Sequence, residues 1–113
     1  MIQEDKMQIQ INTDHNVKDN FEYISENNKY EDLVRDALGH YSKHITRVEV
    51  HFSDVNSKKT GFNDKRCLIE VRVVGIKPMS AVHHANNLHL ALDGAVEKLK
   101  NSLEHTFGKL KNH

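Results

Sequence analysis

The 26 residues from Asn86 to Lys111 constrain the chain most. Leu88, Leu92, Ala95, Val96, Leu99, Leu103, Phe107 and Leu110 recur at steps of three and four. That spacing predicts one long helix with a single apolar stripe, and such a stripe is stable only when a second layer covers it. Upstream, three runs alternate apolar and polar residues, which is the period of a strand with one buried face. The helix is therefore expected to roof a sheet. Its other side carries Lys98, Lys100, Asn101, His105, Lys109 and Lys111, and function is sought there.

The first alternating run is Met7, Ile9 and Ile11, preceded by a loose tail over residues 1–6 and closed by the turn formers Thr13 to Asn16. From about Asn20 to Lys43 the period becomes helical, with Tyr23, Tyr30, Val34, Ala37, Leu38 and Tyr41 on one side. Val48, Val50 and Phe52 mark a second strand, and Cys67, Ile69, Val71 and Val73 a third. The polar stretch between them closes a hairpin, so these two strands are antiparallel. Gly75 and Pro78 bracket the next turn, Met79 to His84 forms a short fourth strand, and Asn86 or Asn87 caps the final helix. The order β-α-β-β-β-α predicts an α+β fold of one domain, a two-layer sandwich with both helices on one face of a four-stranded mixed sheet. A right-handed crossover through the first helix makes strands one and two parallel neighbours.

Composition narrows the function. Net charge is zero at neutral pH, but residues 1–45 hold nine acids against five bases and residues 46–113 hold seven against eleven. A polyanion would therefore meet a local patch. The lone Cys67 excludes an internal disulfide and a multi-cysteine metal site. With a mean hydropathy of −0.69 and no long apolar run, no membrane span or signal peptide is read, and a cytoplasmic protein is expected. No phosphate loop, nucleophile elbow or zinc-protease motif occurs. His40 and His44 share a helix face but lack a third ligand, and His83 and His84 point to opposite faces of a strand. The expectation is a protein with no cofactor, no metal and no catalysis. Candidate phosphate contacts are Lys58, Lys59, Lys65 and Arg66 on the hairpin, with Lys98, Lys100, Asn101, His105 and Lys109 on the last helix.

The run ITRVEVHFSDVNSKKTGFNDKRCLIEVRVVG, followed by ALDGAVEKLKNSLEHTFGKL, resembles the ribosome hibernation promoting factors and ribosome-associated translation inhibitors, also called sigma-54 modulation proteins. The marks are a strand ending in S-D-x-N, a Gly-containing basic loop, a C-x-I-E-V strand and a helix opening A-L-D-x-A-x-x-K-L. The resemblance covers residues 7–111 and implies the short form, without a C-terminal dimerisation domain. It implies a monomer that lodges in the messenger and tRNA channel of the small ribosomal subunit, against its rRNA, and holds idle ribosomes inactive under stress. Lys98 takes the place of the family's helix lysine. Elsewhere the chain departs from the family: Glu31, Asp32 and Asp36 stand on a first helix that is often basic, and Asn101 and His105 replace basic or polar residues of the second. These departures motivate two alternatives, a regulatory protein-binding module of the same fold and a reader of another structured RNA. Were His89 and His105 both to face phosphates, binding would take up protons.

Overall fold

The computed structural model describes residues 7–18, 20–55 and 64–111, with side chains through Gly108. Four strands, β1 (Gln8–Thr13), β2 (Ile45–Asp54), β3 (Lys65–Val73) and β4 (Ile76–Ala85), form one sheet in the order β1-β2-β3-β4. β1 runs parallel to β2, and the other pairings are antiparallel. Helices α1 (His15–Lys18), α2 (Phe21–Leu38) and α3 (Leu88–Lys111) complete the order. Helix α2 packs beside β1 and α3 over β3 and β4, on the same face of the sheet. The predicted two-layer α+β sandwich is thus the observed one.

The core follows the periodicities. Val48, Val50 and Phe52 of β2 and Cys67, Ile69, Val71 and Val73 of β3 are buried against Leu88, Leu92, Ala95, Val96, Leu99 and Leu103 of α3. A bulge between Ile45 and Arg47 changes the alternation, so that Ile45 is buried as well. Tyr30 and Phe52 meet with ring centroids 5.1 Å apart, and Tyr41 stacks on Phe107 at 5.4 Å. Deleting the buried Tyr30, Phe52 or Tyr41 side chain costs about 2–5 kcal/mol.

Boundaries differ from the sequence reading where side chains cap the backbone. Helix α2 stops at Leu38, and a 3-10 turn over Gly39–Tyr41 replaces the predicted last turns. Its start is as expected, since Asn20 Oδ1 accepts from the Tyr23 amide at 3.2 Å. The turn formers after β1 build a single helical turn, α1. Asp14 Oδ1 accepts from Val17 N at 2.9 Å and Oδ2 from Asp54 N at 3.2 Å, which drives Val17 into the core. The turn before β4 is only Val74–Gly75, with Gly75 at φ 77°, a conformation that other residues rarely adopt. Pro78 lies inside β4 rather than before it. An edge strand tolerates this because its outer amides need no ladder partner. Of the two candidate caps, Asn87 is used: its Oδ1 accepts from Leu90 N at 2.8 Å.

Candidate nucleic-acid interface

Helix α3 sits close to the edge strand β4 because it carries no side chain where the two meet. A Cβ on Gly94 would fall 2.1 Å from Cδ2 of His83, so the glycine leaves the volume that the imidazole fills. One turn further on, Lys98 Nζ donates to the Val82 carbonyl at 2.9 Å, satisfying an acceptor on the free edge of β4. Asn101 and His105 follow Lys98 at steps of three and four and share its flank, and Asn101, His105 and Lys98 are all exposed. Lys100 is rotated from Lys98 by about 200° and stands on the other side of the helix. The exposed acids Asp93, Glu97 and Glu104 lie towards solvent, with Glu97 and Glu104 at steps of four and three from Asn101, so they border the flank on its outer side.

The strand beside this flank contains Lys77, His83 and His84 and no acidic residue. His84 is exposed on the open face of the sheet, directly across the ladder from Arg66. Arg66, His84, Lys98, Asn101 and His105 therefore line both sides of one sheet edge, and a basic strip runs along β4. Sequence reasoning missed His84, because only the β3–β4 register places it beside Arg66.

The remaining candidates are dispersed. Lys65 Nζ lies 3.0 Å from Asp64 Oδ1 and 3.3 Å from Asp54 Oδ2. Partial burial lowers its pKa, but the bonds to Asp64 and Asp54 outweigh this and hold the ammonium above the ordinary lysine value. Its charge is spent on those partners. Lys58 and Lys59 lie outside the described residues, and Lys109 is placed only as backbone on the last turns of α3. His89 lies away from the strip, beside Glu22 and Glu26 at the meeting of α2 and α3, so the two histidines of the proton-uptake expectation do not share a face.

The centre of the open sheet face neutralises itself. Arg47 Nε donates to Glu49 Oε2 at 3.0 Å and also bonds Gln10. The Arg47 bond, against some burial, keeps the Glu49 carboxyl below its usual range. Glu49 and Glu70 are opposed in register, and His51 Nε2 stands 3.8 Å and 3.4 Å from them. These carboxylates compete with any phosphate for the cations of the sheet centre, which leaves the β4 edge as the less neutralised basic surface among the described residues. Among the described residues no group of three histidine, cysteine or carboxylate side chains is placed to hold a metal ion, and no helix is long and apolar enough to cross a membrane.

Solved structures with this architecture include the N-terminal domain of Protein Y from Thermus thermophilus, at TM-score 0.61 and 19% identity over 88% of this chain and 99% of that one. A ribosomal subunit interface protein from Coxiella burnetii matches at TM-score 0.63 and 16% identity, over 90% and 99%. At such identities the likeness is one of fold. Comparison with curated proteins returned no match. The sigma 54 modulation protein / S30EA ribosomal protein profile, however, matches residues 20–111. That span takes in α2, the whole β2-β3-β4 sheet and α3, so the chain belongs to the sigma 54 modulation protein / S30EA ribosomal protein family.

Proposed function

We propose that the protein is a ribosome-binding inhibitor of translation that acts in the cytoplasm under stress, as a monomer, by occupying the messenger and tRNA channel of the small subunit. It works by occupancy and needs no chemistry or cofactor. Family membership supports a ribosomal partner, and so does the name of the Coxiella burnetii neighbour, a ribosomal subunit interface protein. The observation that carries the reading is charge segregation: Lys98, Asn101 and His105 flank an edge strand without acids, and Arg66 and His84 continue the strip across it. Phosphates of rRNA are the polyanion this strip fits, and Lys58, Lys59 and Lys109 are the further contacts expected from the sequence. Lys65 and Lys100 contribute less, the first being paired with two carboxylates and the second facing away.

Cosedimentation with small subunits in a density gradient tests the proposal. Binding at low salt that falls steeply as salt rises is expected, because each phosphate contact releases counterions. Absence of cosedimentation at low salt overturns it. The protein-binding alternative is favoured by one feature, the five acids against two bases of α2. A defined protein partner captured without RNA would identify that role.

A further inference from the structure

The sheet has two free edges, and the chain treats them differently. On β4, Pro78 removes one outward donor and Lys98 Nζ occupies the outward Val82 carbonyl, and both devices keep an edge strand from pairing. At the other side of the sheet β1 reads QIQINT, with no proline and no charge. Within a strand, the amide and carbonyl of one residue point to one side and those of the next residue to the other. Asp14 N donates to the Phe52 carbonyl at 3.0 Å, so Gln8, Gln10 and Asn12, of the same parity, form the ladder with β2. Ile9, Ile11 and Thr13 turn theirs outward, and among the described residues no group bonds to them. Beside this edge α2 leaves a groove of about 330 Å³, lined by Ile11, Tyr23, Asn27, Asn28, Glu31 and Asp32. Ile11 and Tyr23, both packed against the core, form its apolar part. Glu31 shares its charge with Arg35 at 3.2 Å, whereas Asp32 is exposed and makes no ion pair among the described residues.

We propose that the β1 edge takes up an extended basic segment of another protein as an added antiparallel strand. Backbone groups of the segment pair with Ile9, Ile11 and Thr13, and its lysine or arginine side chains on the helix side meet Asp32 and Glu31 across the groove. Strand addition of this kind takes its affinity from main-chain bonds and its specificity from alternate side chains. The charge of α2, five acids against two bases, selects the occupant. A second copy laid β1 against β1 would set two acidic α2 helices side by side on one face, and a nucleic acid would meet the same carboxylates. This edge lies opposite the rRNA strip, and strand addition there does not depend on the strip.

Nuclear magnetic resonance of the full chain tests the proposal, with acetyl-Thr-Lys-Val-Lys-Val-Lys-Thr-amide as the probe. In the free protein the Ile9, Ile11 and Thr13 amides should exchange with solvent faster than those of Gln10 and Asn12. The lysine peptide is expected to shift these outward amides saturably at low salt and to slow their exchange. Its glutamate counterpart should bind at least about tenfold more weakly. The same peptide N-methylated at the backbone of its lysines keeps the charge but loses the donors that face β1, and it should give no protection. Asp32→Lys should weaken the lysine peptide about threefold or more, with the rest of the spectrum unchanged. Slow exchange of the outward amides without peptide, at all protein concentrations or only at high ones, would mean that this chain or a second copy covers the edge, and would overturn the proposal. Equal binding of the glutamate or the N-methylated peptide, indifference to Asp32→Lys, shifts confined to other surfaces, or no saturable shift at all would each overturn it as well.

Discussion

Glu22, on the first turn of α2, accepts the backbone amide of Leu88 at 2.8 Å, and its second oxygen takes the neighbouring amide of His89 at 2.9 Å. A residue 66 positions away in sequence thus caps the long helix, sharing the task with Asn87. It also places a negative charge where the helix dipole is positive. Charge-assisted bonds of this kind are worth about 1.5–3 kcal/mol. Glu22→Ala should therefore lower stability by about 2 kcal/mol, and hydrogen exchange at Leu88 and His89 should accelerate before that of the β2–β3 ladder. Unchanged exchange at those two amides would show that the cap is carried by Asn87 alone.

The contact between Gly94 and His83 predicts a compensating pair. Gly94→Ala puts a methyl group within 2.1 Å of the imidazole, and relieving it by moving α3 or the ring is expected to cost about 1–3 kcal/mol. Adding His83→Ala removes the obstacle, so the double variant should be more stable than Gly94→Ala alone. Denaturant midpoints for the four proteins of the cycle measure this. Additive losses would mean that the ring leaves the helix without cost.

Burial of titratable groups predicts an alkaline limit to stability. Cys67 is fully buried, and burial, opposed only by Arg66, pushes its thiol from 9.0 up to about 12. Tyr30 and Tyr41 are also raised, by burial foremost. An unfolded chain releases the thiol proton near pH 9 while the native state keeps it, so stability is full below pH 9 and falls above it, by up to about 1.4 kcal/mol per pH unit for each group. Cys67→Ala should flatten the decline between pH 9 and 10, as read from denaturant midpoints. In the native wild type the thiol should resist thiol reagents at pH 8, and labelling as fast as in the unfolded chain would contradict the assignment.

Much of this fold was legible because burial on one face imposes a period on each element. The stripe of α3 from Leu88 to Leu103 and the alternation of β2 and β3 gave the layers, and the hairpin gave the antiparallel pairing. Long-range polar contacts were hidden. Nothing in the sequence near Glu22 marks it as the cap of α3, and Asp14 reads as a turn residue until Asp54 is brought beside it. The same applies to the candidate interface. Lys98 and His105 could be placed on one helix flank from spacing, but the pairing of Arg66 with His84 depends on register. The neutralisation of Lys65 depends on two carboxylates that only the closed sheet supplies.

That difference between a lysine's presence and its placement gives the sharpest test of the proposed rRNA interface. Lys98 is held against β4 by the Val82 carbonyl, so its ammonium stays on the basic strip with two protons free for phosphate oxygens. Lys100 is two residues on and faces away, although both score alike in charge. If the strip is the contact, Lys98→Ala and Arg66→Ala should each weaken small-subunit binding and reduce the salt slope, log affinity against log salt concentration, by about one. Lys100→Ala should change neither by a comparable amount, and Lys65→Ala should lower stability more than it lowers the slope, since it removes a partly buried cation that pairs with both Asp54 and Asp64. Equal losses from Lys98→Ala and Lys100→Ala would mean that total helix charge, not the β4 flank, governs binding, and the strip would lose its claim.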